Sequence, residues 1–378
     1  MRPPTQPAVA IVADDLTGAA DCGVQFARSG YRTAVLFQDS TTLPEADALA
    51  LDAGSRELGR EGAAGRTTEA TGRVRHASIL YKKLDSTLRG NVAAELGAAL
   101  ETSGRRACLL APAFPEMGRT TREGTQVLHG EPLPGGHLPT LLERAGLGPV
   151  EVLAARARRE DAVRSLARAR WIVADAEEQK HLEHLVRCVR DPASVLWAGS
   201  AGLARALGSV HPGPRKVPGP PTFSARRVLV VVGSTSATSR EQLDVLKQRG
   251  LEVVPLAEDA TDGLRRVLTA GRSAALCSAP QRSAGAEQRI SAALARVVVN
   301  LAGEDLFDAL VLTGGETARR IASALGARGI LLRGEVEPGV PAGTLIGDRP
   351  YPVVTKAGGF GGPETLWNAL LTLTGGGR

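Results

Sequence analysis

The chain is short of aromatic residues, cysteine and lysine, and each shortage closes off a reading. Aromatics are only 3% of its 378 residues, so its cores must be built mainly from Ala, Val and Leu, and no aromatic RNA-binding strand is present. Cys22, Cys108, Cys188 and Cys277 are scattered with no C-x-x-C pair, which excludes a disulfide frame or a zinc site and fits reduced thiols in a cytosol. His181, His184 and Cys188 fall on one face of an expected helix, but without a fourth ligand they read as incidental surface. No window approaches 18 apolar residues, and "MRPPTQPAVAIVADD" has no apolar run ending in a small-residue cleavage site; secretion and membrane spanning are therefore not expected, and a cytoplasmic protein is. No lysine follows a glycine, so there is no Walker A loop, and neither G-x-G-x-x-G nor G-x-S-x-G occurs.

What remains is a soluble composition, 43% hydrophobic and 23% charged, at a length that favours two domains. The net charge of +6 comes from 46 basic residues interspersed with 40 acidic ones, without a basic tail or zinc finger, so no nucleic-acid partner is expected. Short apolar runs alternate with helical stretches: "AVAIVA" (8–13), "RTAVLF" (32–37), "ALALDA" (48–53), "ASILYK" (77–82), "ACLLAPA" (107–113), "VEVLAA" (150–155), "WIVADA" (171–176) and "SVLWAG" (194–199). Five prolines in "HPGPRKVPGPPTFSARR" (211–227) break the pattern, which restarts at "RVLVVVGS" (227–234). The expected fold is therefore two α/β domains with mainly parallel sheets and an interdomain cleft: residues 1–210, a linker over 211–226, and residues 227–378.

In such sheets ligands bind beyond the carboxyl ends of the strands, and polar clusters stand there. After the first strand comes "VADDLTGAAD", whose adjacent Asp14 and Asp15 cannot face the same way; one can enter a cleft while the other caps a helix starting near Thr17. "LDAGSREL" offers Ser55 and Arg56, and "APAFPEMGRTT" offers Arg119. "KKLDSTLRGN" offers Lys82, Lys83, Asp85, Ser86, Thr87, Arg89 and Asn91, including two of only six lysines. Each cluster alone reads as a solvated loop or a cap. Together they supply cations for a carboxylate and Asp, Ser and Thr for hydroxyls, which suits a polyhydroxy acid. The C-terminal half instead has strand–glycine loop–helix units: "VVVGSTSATSREQL" with Ser234 and Ser236, "LVLTGGETARRIASAL" with Gly314, Gly315, Glu316 and Thr317, and "TKAGGFGGPETLW" with Gly358 and Gly359. Such loops can present backbone N–H groups to phosphates, or simply make tight α/β turns.

These motifs, with "GSAGLARAL" and "EVEPGVPAG", resemble the four-carbon acid sugar kinase family over nearly the whole chain and in the family's order. The resemblance implies an ATP-dependent enzyme that phosphorylates threonate, erythronate or 3-oxo-tetronate at the terminal hydroxyl to the 4-phosphate. It implies a sugar-acid domain first and a nucleotide domain second. Asp14, Arg56, Lys82, Lys83, Arg89, Asn91 and Arg119 would then bind the acid. Ser234, Ser236, Gly314, Gly315, Glu316, Thr317, Gly358 and Gly359 would hold ATP with Mg²⁺. An aspartate would orient the hydroxyl and take its proton, Asp15 first and Asp85 second, while one of the paired lysines could be structural or solvent-facing. No metal site made of protein ligands is expected, and a homodimer is the assembly to test. Two departures from the family pattern stand out: a short stretch between "AALCSAP" and "DALVLTGG", and "GGETA" where relatives often carry Asp and Ser at its third and fifth positions. The rival readings are an NAD(P)-dependent dehydrogenase of the same acids, weakened by the missing dinucleotide fingerprint, and a non-catalytic sugar-acid binding protein.

Overall fold

The structure is a computed structural model that describes residues 6–38, 40, 42–85, 87–217, 219–279 and 287–376. The chain divides into two compact units, Met1–Val217 and Pro218–Arg378.

The first unit carries β1 (Val9–Ala13), α1 (Leu16–Ala27), β2 (Thr33–Leu36), β3 (Ala48–Asp52), α2 (Arg60–Val74), β4 (Ile79–Lys83), α3 (Val92–Ser103) and β5 (Ala107–Ala111). It continues with β6 (Arg119–Arg122), β7 (Thr125–Leu128), β8 (Glu131–His137), α4 (Leu138–Arg144), β9 (Val150–Leu153), α5 (Arg159–Arg168), β10 (Trp171–Ala174), α6 (Gln179–Cys188), β11 (Val195–Gly199) and α7 (Ala201–Val210). Its main strands run parallel in the order β2-β3-β1-β4-β11-β5-β10-β9. Every residue of β1, β3, β4, β5 and β11 is buried, the continuous apolar signature of strands covered on both faces. β1 lies between β3 and β4, and the chain crosses from one side of it to the other after β3, the kind of switch in strand order at whose carboxyl ends open α/β sheets bind ligands.

The second unit carries β12 (Val228–Val232), α8 (Ala237–Gln248), β13 (Glu252–Pro255), α9 (Ala260–Thr269), β14 (Ala274–Cys277), α10 (Glu287–Gly303), β15 (Ala309–Thr313), α11 (Gly315–Ala324), β16 (Gly329–Glu335), β17 (Pro341–Ile346), β18 (Pro352–Lys356) and α12 (Thr365–Thr374). Its strand order is β13-β14-β12-β15-β18-β17-β16. The run from β13 to β18 is parallel, and β17 lies antiparallel to both its neighbours. Val228, Val230 and Val232 of β12 pack with Leu243, Leu246, Val311, Leu366 and Leu373 in its core.

The sheets are mainly parallel, as expected, with the β16–β17 hairpin and a separate antiparallel sheet, β6-β7-β8, beside the parallel strands. Two other expectations change. The expected linker begins too early, because its first residues are held by the first unit: Gly213 N–H donates to the Ser29 carbonyl at 2.8 Å and Arg215 Nε to Asp47 Oδ2 at 2.8 Å. On α6, His181 and Cys188 are buried and only His184 is exposed, so the trio is not a surface cluster. Among the described residues, no helix is long and apolar enough to cross a membrane, and no group of three His, Cys, Asp or Glu side chains could hold a metal ion.

Candidate functional site

At the end of β1 the adjacent aspartates divide their work. Asp15 caps α1, its carboxylate accepting the Gly18 N–H and the Thr17 hydroxyl, each at 2.7 Å. A Cβ on Gly18 would lie 2.8 Å from Asp15 Oδ1 and 3.3 Å from Lys83 Nζ, so this close approach needs glycine. Asp14 turns inward and is buried. The loop after β3 brings Arg56 to both: Nε donates to Asp14 Oδ2 at 2.7 Å and Nη1 to Asp15 Oδ2 at 2.5 Å. Arg56 Nη2 lies 3.5 Å from Asp85 Oδ1, so one guanidinium ties together three carboxylates from two strand ends.

Asp85 follows β4 and is saturated with donors. Arg89 grips it bidentately, Nε to Oδ2 and Nη2 to Oδ1, both at 3.0 Å, and Thr87 adds its hydroxyl at 2.5 Å. Burial alone would raise the Asp85 pKa, but Arg89, Arg56 and Thr87 hold the carboxyl well below the usual range. Asp14 behaves likewise: burial opposes ionisation, and Arg56 and Lys82 outweigh it. Both groups therefore have lower pKa values folded than unfolded, and their stabilisation is complete above the ordinary carboxylate range near pH 4 and is lost as pH falls. The expected result is an acid-unfolding transition that becomes shallower in Asp85→Asn, read by circular dichroism between pH 5 and pH 2; an unchanged pH profile would remove Asp85 from this role.

The two lysines of "KKLDSTLRGN" are both buried, and neither faces solvent. Lys82 Nζ pairs with Glu95 Oε2 of α3 at 2.8 Å and donates to the Lys83 carbonyl at 2.9 Å, while Ser55 Oγ donates to Glu95 Oε1 at 2.7 Å. Lys83 Nζ donates to the Leu84 carbonyl at 2.9 Å. Burial pulls the Lys83 pKa down, yet Cys22, Asp21, Asp14 and Asp15 more than restore it, so its charge is kept. Burial lowers the pKa of Arg119, at the start of β6, against the pull of Asp21 and Asp85, which places it in the same cluster. Asn91 sits apart: its amide donates to the Leu58 carbonyl at 2.7 Å and joins two loops. Glu95 and Asp21 escaped the sequence reading; Asp21 closes the quoted "VADDLTGAAD", while only burial reveals Glu95. Asp14 Oδ1 has no hydrogen-bond partner among the described residues although it is buried. A carboxylate oxygen in that state calls for a donor such as a ligand hydroxyl.

In the second unit the glycine loops meet. Ser236 caps α8, accepting the Ser239 N–H at 3.1 Å, and its hydroxyl donates to the Gly358 carbonyl at 2.7 Å. A side chain at Gly358 would run into Ser234 Oγ. Gly314 takes a φ of 96° to open α11, whose first turn holds Gly315, Glu316 and the buried Thr317. Glu316 is already engaged by Arg319 at 2.6 Å and Arg320 at 3.1 Å, so its carboxylate braces its own helix. Lys356, passed over in the sequence reading, ends β18 as a buried cation beside these loops.

The first unit matches a sugar-binding N-terminal domain model over residues 9–207, and the second a nucleotide-binding C-terminal domain model over residues 229–366. Along almost its full length the chain is 39% identical to a D-threonate kinase of Cupriavidus necator, covering 96% of this chain and 97% of that protein. The chain belongs to the four-carbon acid sugar kinase family. A second member, a D-threonate kinase of Bordetella bronchiseptica, is 35% identical over 96% of both chains. The alignment with the Cupriavidus protein runs over 418 positions, more than this chain's 378 residues, so this member of the family lacks internal residues that the relative has. A Haemophilus influenzae protein of known structure superposes with a TM-score of 0.74 at 21% identity, covering 97% of this chain and all of that one, and shows the same fold.

Proposed function

We propose that the chain is an ATP-dependent kinase that phosphorylates the terminal hydroxyl of a four-carbon sugar acid to the 4-phosphate, with D-threonate as the leading substrate. The observation that carries this reading is the Asp14–Arg56–Asp15–Asp85 cluster at the strand ends, with its unmet Asp14 oxygen, in a chain aligned end to end with D-threonate kinases.

Phosphoryl transfer asks the protein mainly for positioning and charge neutralisation. The acid occupies the first unit, its carboxylate near Arg89, Arg119 and the buried lysines and its hydroxyls toward Asp14 and Asp15. ATP occupies the second unit on the loops at Ser234–Ser236, Gly314–Thr317 and Gly358–Gly359. The donor set there suits phosphates: among the described residues, the first-turn N–H groups of α11 and the buried Thr313 hydroxyl have no hydrogen-bond partner. Mg²⁺ would arrive on the triphosphate, since a hard cation held by phosphates needs few protein ligands, and when bound it neutralises charge on the phosphate oxygens. The hydroxyl oxygen attacks the γ-phosphorus, the bond to the β-phosphate oxygen breaks, ADP leaves, and the hydroxyl proton passes to Asp15. Asp85 is the second candidate base; Arg89 and Thr87 hold its oxygens, as Arg56, Thr17 and Gly18 hold those of Asp15.

The test is ADP release from MgATP across D- and L-threonate, D- and L-erythronate and their 3-oxo forms, with the product's phosphate position read by ³¹P NMR. Turnover with none of them would sink the proposal. Asp15→Asn, which keeps a good N-cap, is expected to lower kcat by about 10²–10⁴-fold without unfolding the protein. A near-normal rate would move the base elsewhere.

A further inference from the structure

Lys356 is 1% exposed, and among the described residues its ammonium makes no ion pair. It donates instead to three carbonyls of the loop that follows it: Ala357 at 2.9 Å, Gly358 at 3.1 Å and Phe360 at 3.1 Å. The same loop is fixed from α8, where Ser239 Oγ donates to the Gly358 carbonyl at 2.8 Å and Gln242 Nε2 to the carbonyls of Phe360 at 3.1 Å and Gly362 at 2.8 Å. Gly314 N–H donates to the Lys356 carbonyl at 2.9 Å, which ties the α11 turn to the same knot.

In a trans peptide the C=O of one residue and the N–H of the next point in opposite directions. With the carbonyls of 357, 358 and 360 drawn to the ammonium, the N–H groups of Gly358, Gly359 and Gly361 face away from it. None of these three amides has an acceptor among the described residues. Gly359 is exposed, and nothing lies within 4 Å of where its Cβ would be. Successive outward N–H groups with a cation behind them make an anion-binding concavity.

We propose that Lys356 is a positioning residue that shapes the 357–361 loop into a cradle of three backbone N–H donors for the polyphosphate of a nucleoside triphosphate. It acts through the loop and does not touch the nucleotide. The inference rests on the kinase reading for the identity of the ligand, and it deepens that reading. Burial lowers the Lys356 pKa to about 8, with Glu337, the charged group that acts on it from the β16–β17 turn, offsetting part of the effect; from α8 the uncharged Ser236, Ser239 and Gln242 side chains share its carbonyl acceptors. A bound phosphate favours the protonated amine and would raise that pKa again, so binding near pH 8 to 9 should take up protons.

The experiment uses the full chain in three forms: wild type, Lys356→Met and Lys356→Arg. Lys356→Met is expected to raise the KM for ATP at least about tenfold while the KM for the sugar acid stays within about twofold, with Lys356→Arg intermediate. Calorimetric titration with ATP at pH 8.5, repeated in buffers of different ionisation enthalpy, should show proton uptake in wild type that Lys356→Met loses. In ¹⁵N-glycine spectra of wild type, the amides of Gly358, Gly359 and Gly361 should shift when inorganic triphosphate is added, and this measurement stands even where Lys356→Met fails to fold. Unshifted glycine amides, or a folded Lys356→Met with the wild-type KM for ATP, would overturn the proposal. Shifted amides and proton uptake in a protein that phosphorylates no acid would support the cradle and sink the kinase reading instead.

Discussion

Arg56→Met is expected to abolish turnover and to lower stability by about 3–5 kcal/mol, the cost of leaving buried charge without its partner. The guanidinium reaches Asp14, Asp15 and Asp85 at 2.7, 2.5 and 3.5 Å, and its side chain is only 17% exposed. Without it, three carboxylates from the ends of β1 and β4 repel one another. They must then either take up protons or move apart, and displacements of about 1 Å at such a site cost about 10²-fold in rate. Arg56→Lys separates the two effects. An ammonium restores one charge but cannot fork between three acceptors, so melting temperature should recover more than kcat/KM does. The measurement is thermal unfolding beside ADP release for both variants. Wild-type kcat/KM in Arg56→Met would mean that the aspartates hold their places unaided.

The second large effect belongs to the Lys82–Glu95 pair, which is 0% and 3% exposed at a separation of 2.8 Å. Either single change, Lys82→Met or Glu95→Leu, strands a charge and should cost about 3–5 kcal/mol. The double variant should regain most of that loss, because apolar residues of similar volume often replace a buried pair without penalty; the Ser55 hydroxyl, left without its acceptor, costs about 1–3 kcal/mol. Activity should not return with stability, since Lys82 also lowers the Asp14 pKa and that effect goes with its charge. Chemical denaturation of all four proteins gives the coupling directly. If the double variant is as unstable as the sum of the singles, the pair is not coupled and the network has been misread.

The parallel strands were legible because burial on both faces leaves a continuous apolar run, as in "AVAIVA" and "RVLVVV". The β6-β7-β8 sheet was not. "RTTREGTQVLHGEPLPGGH" has no run of that kind, and its shape comes from turns at Gly118, Gly124 and Gly130, whose φ angles are 66°, 71° and 90°. In the site, the polar residues at the ends of β1, β3 and β4 could be named from sequence, because strand ends in α/β sheets are where ligand groups stand. Their partners could not. Glu95 looks like one more helix-surface glutamate until α3 packs it against Lys82, and Lys356 looks like the last residue of a strand until its loop folds back around the amine. Asn91 adds a contact that the sequence did not show: its amide donates to the Leu58 carbonyl and joins two loops.

Half of the chain's six lysines, Lys82, Lys83 and Lys356, are inside the protein, while Lys180, Lys216 and Lys247 are exposed. Acylating reagents, biotin esters and amine-coupled sensor surfaces therefore have three exposed lysine handles, none of them among the residues of either cluster. The buried Lys356 amine becomes a footprint of the loop around it: its rate of acylation would count the openings of that loop.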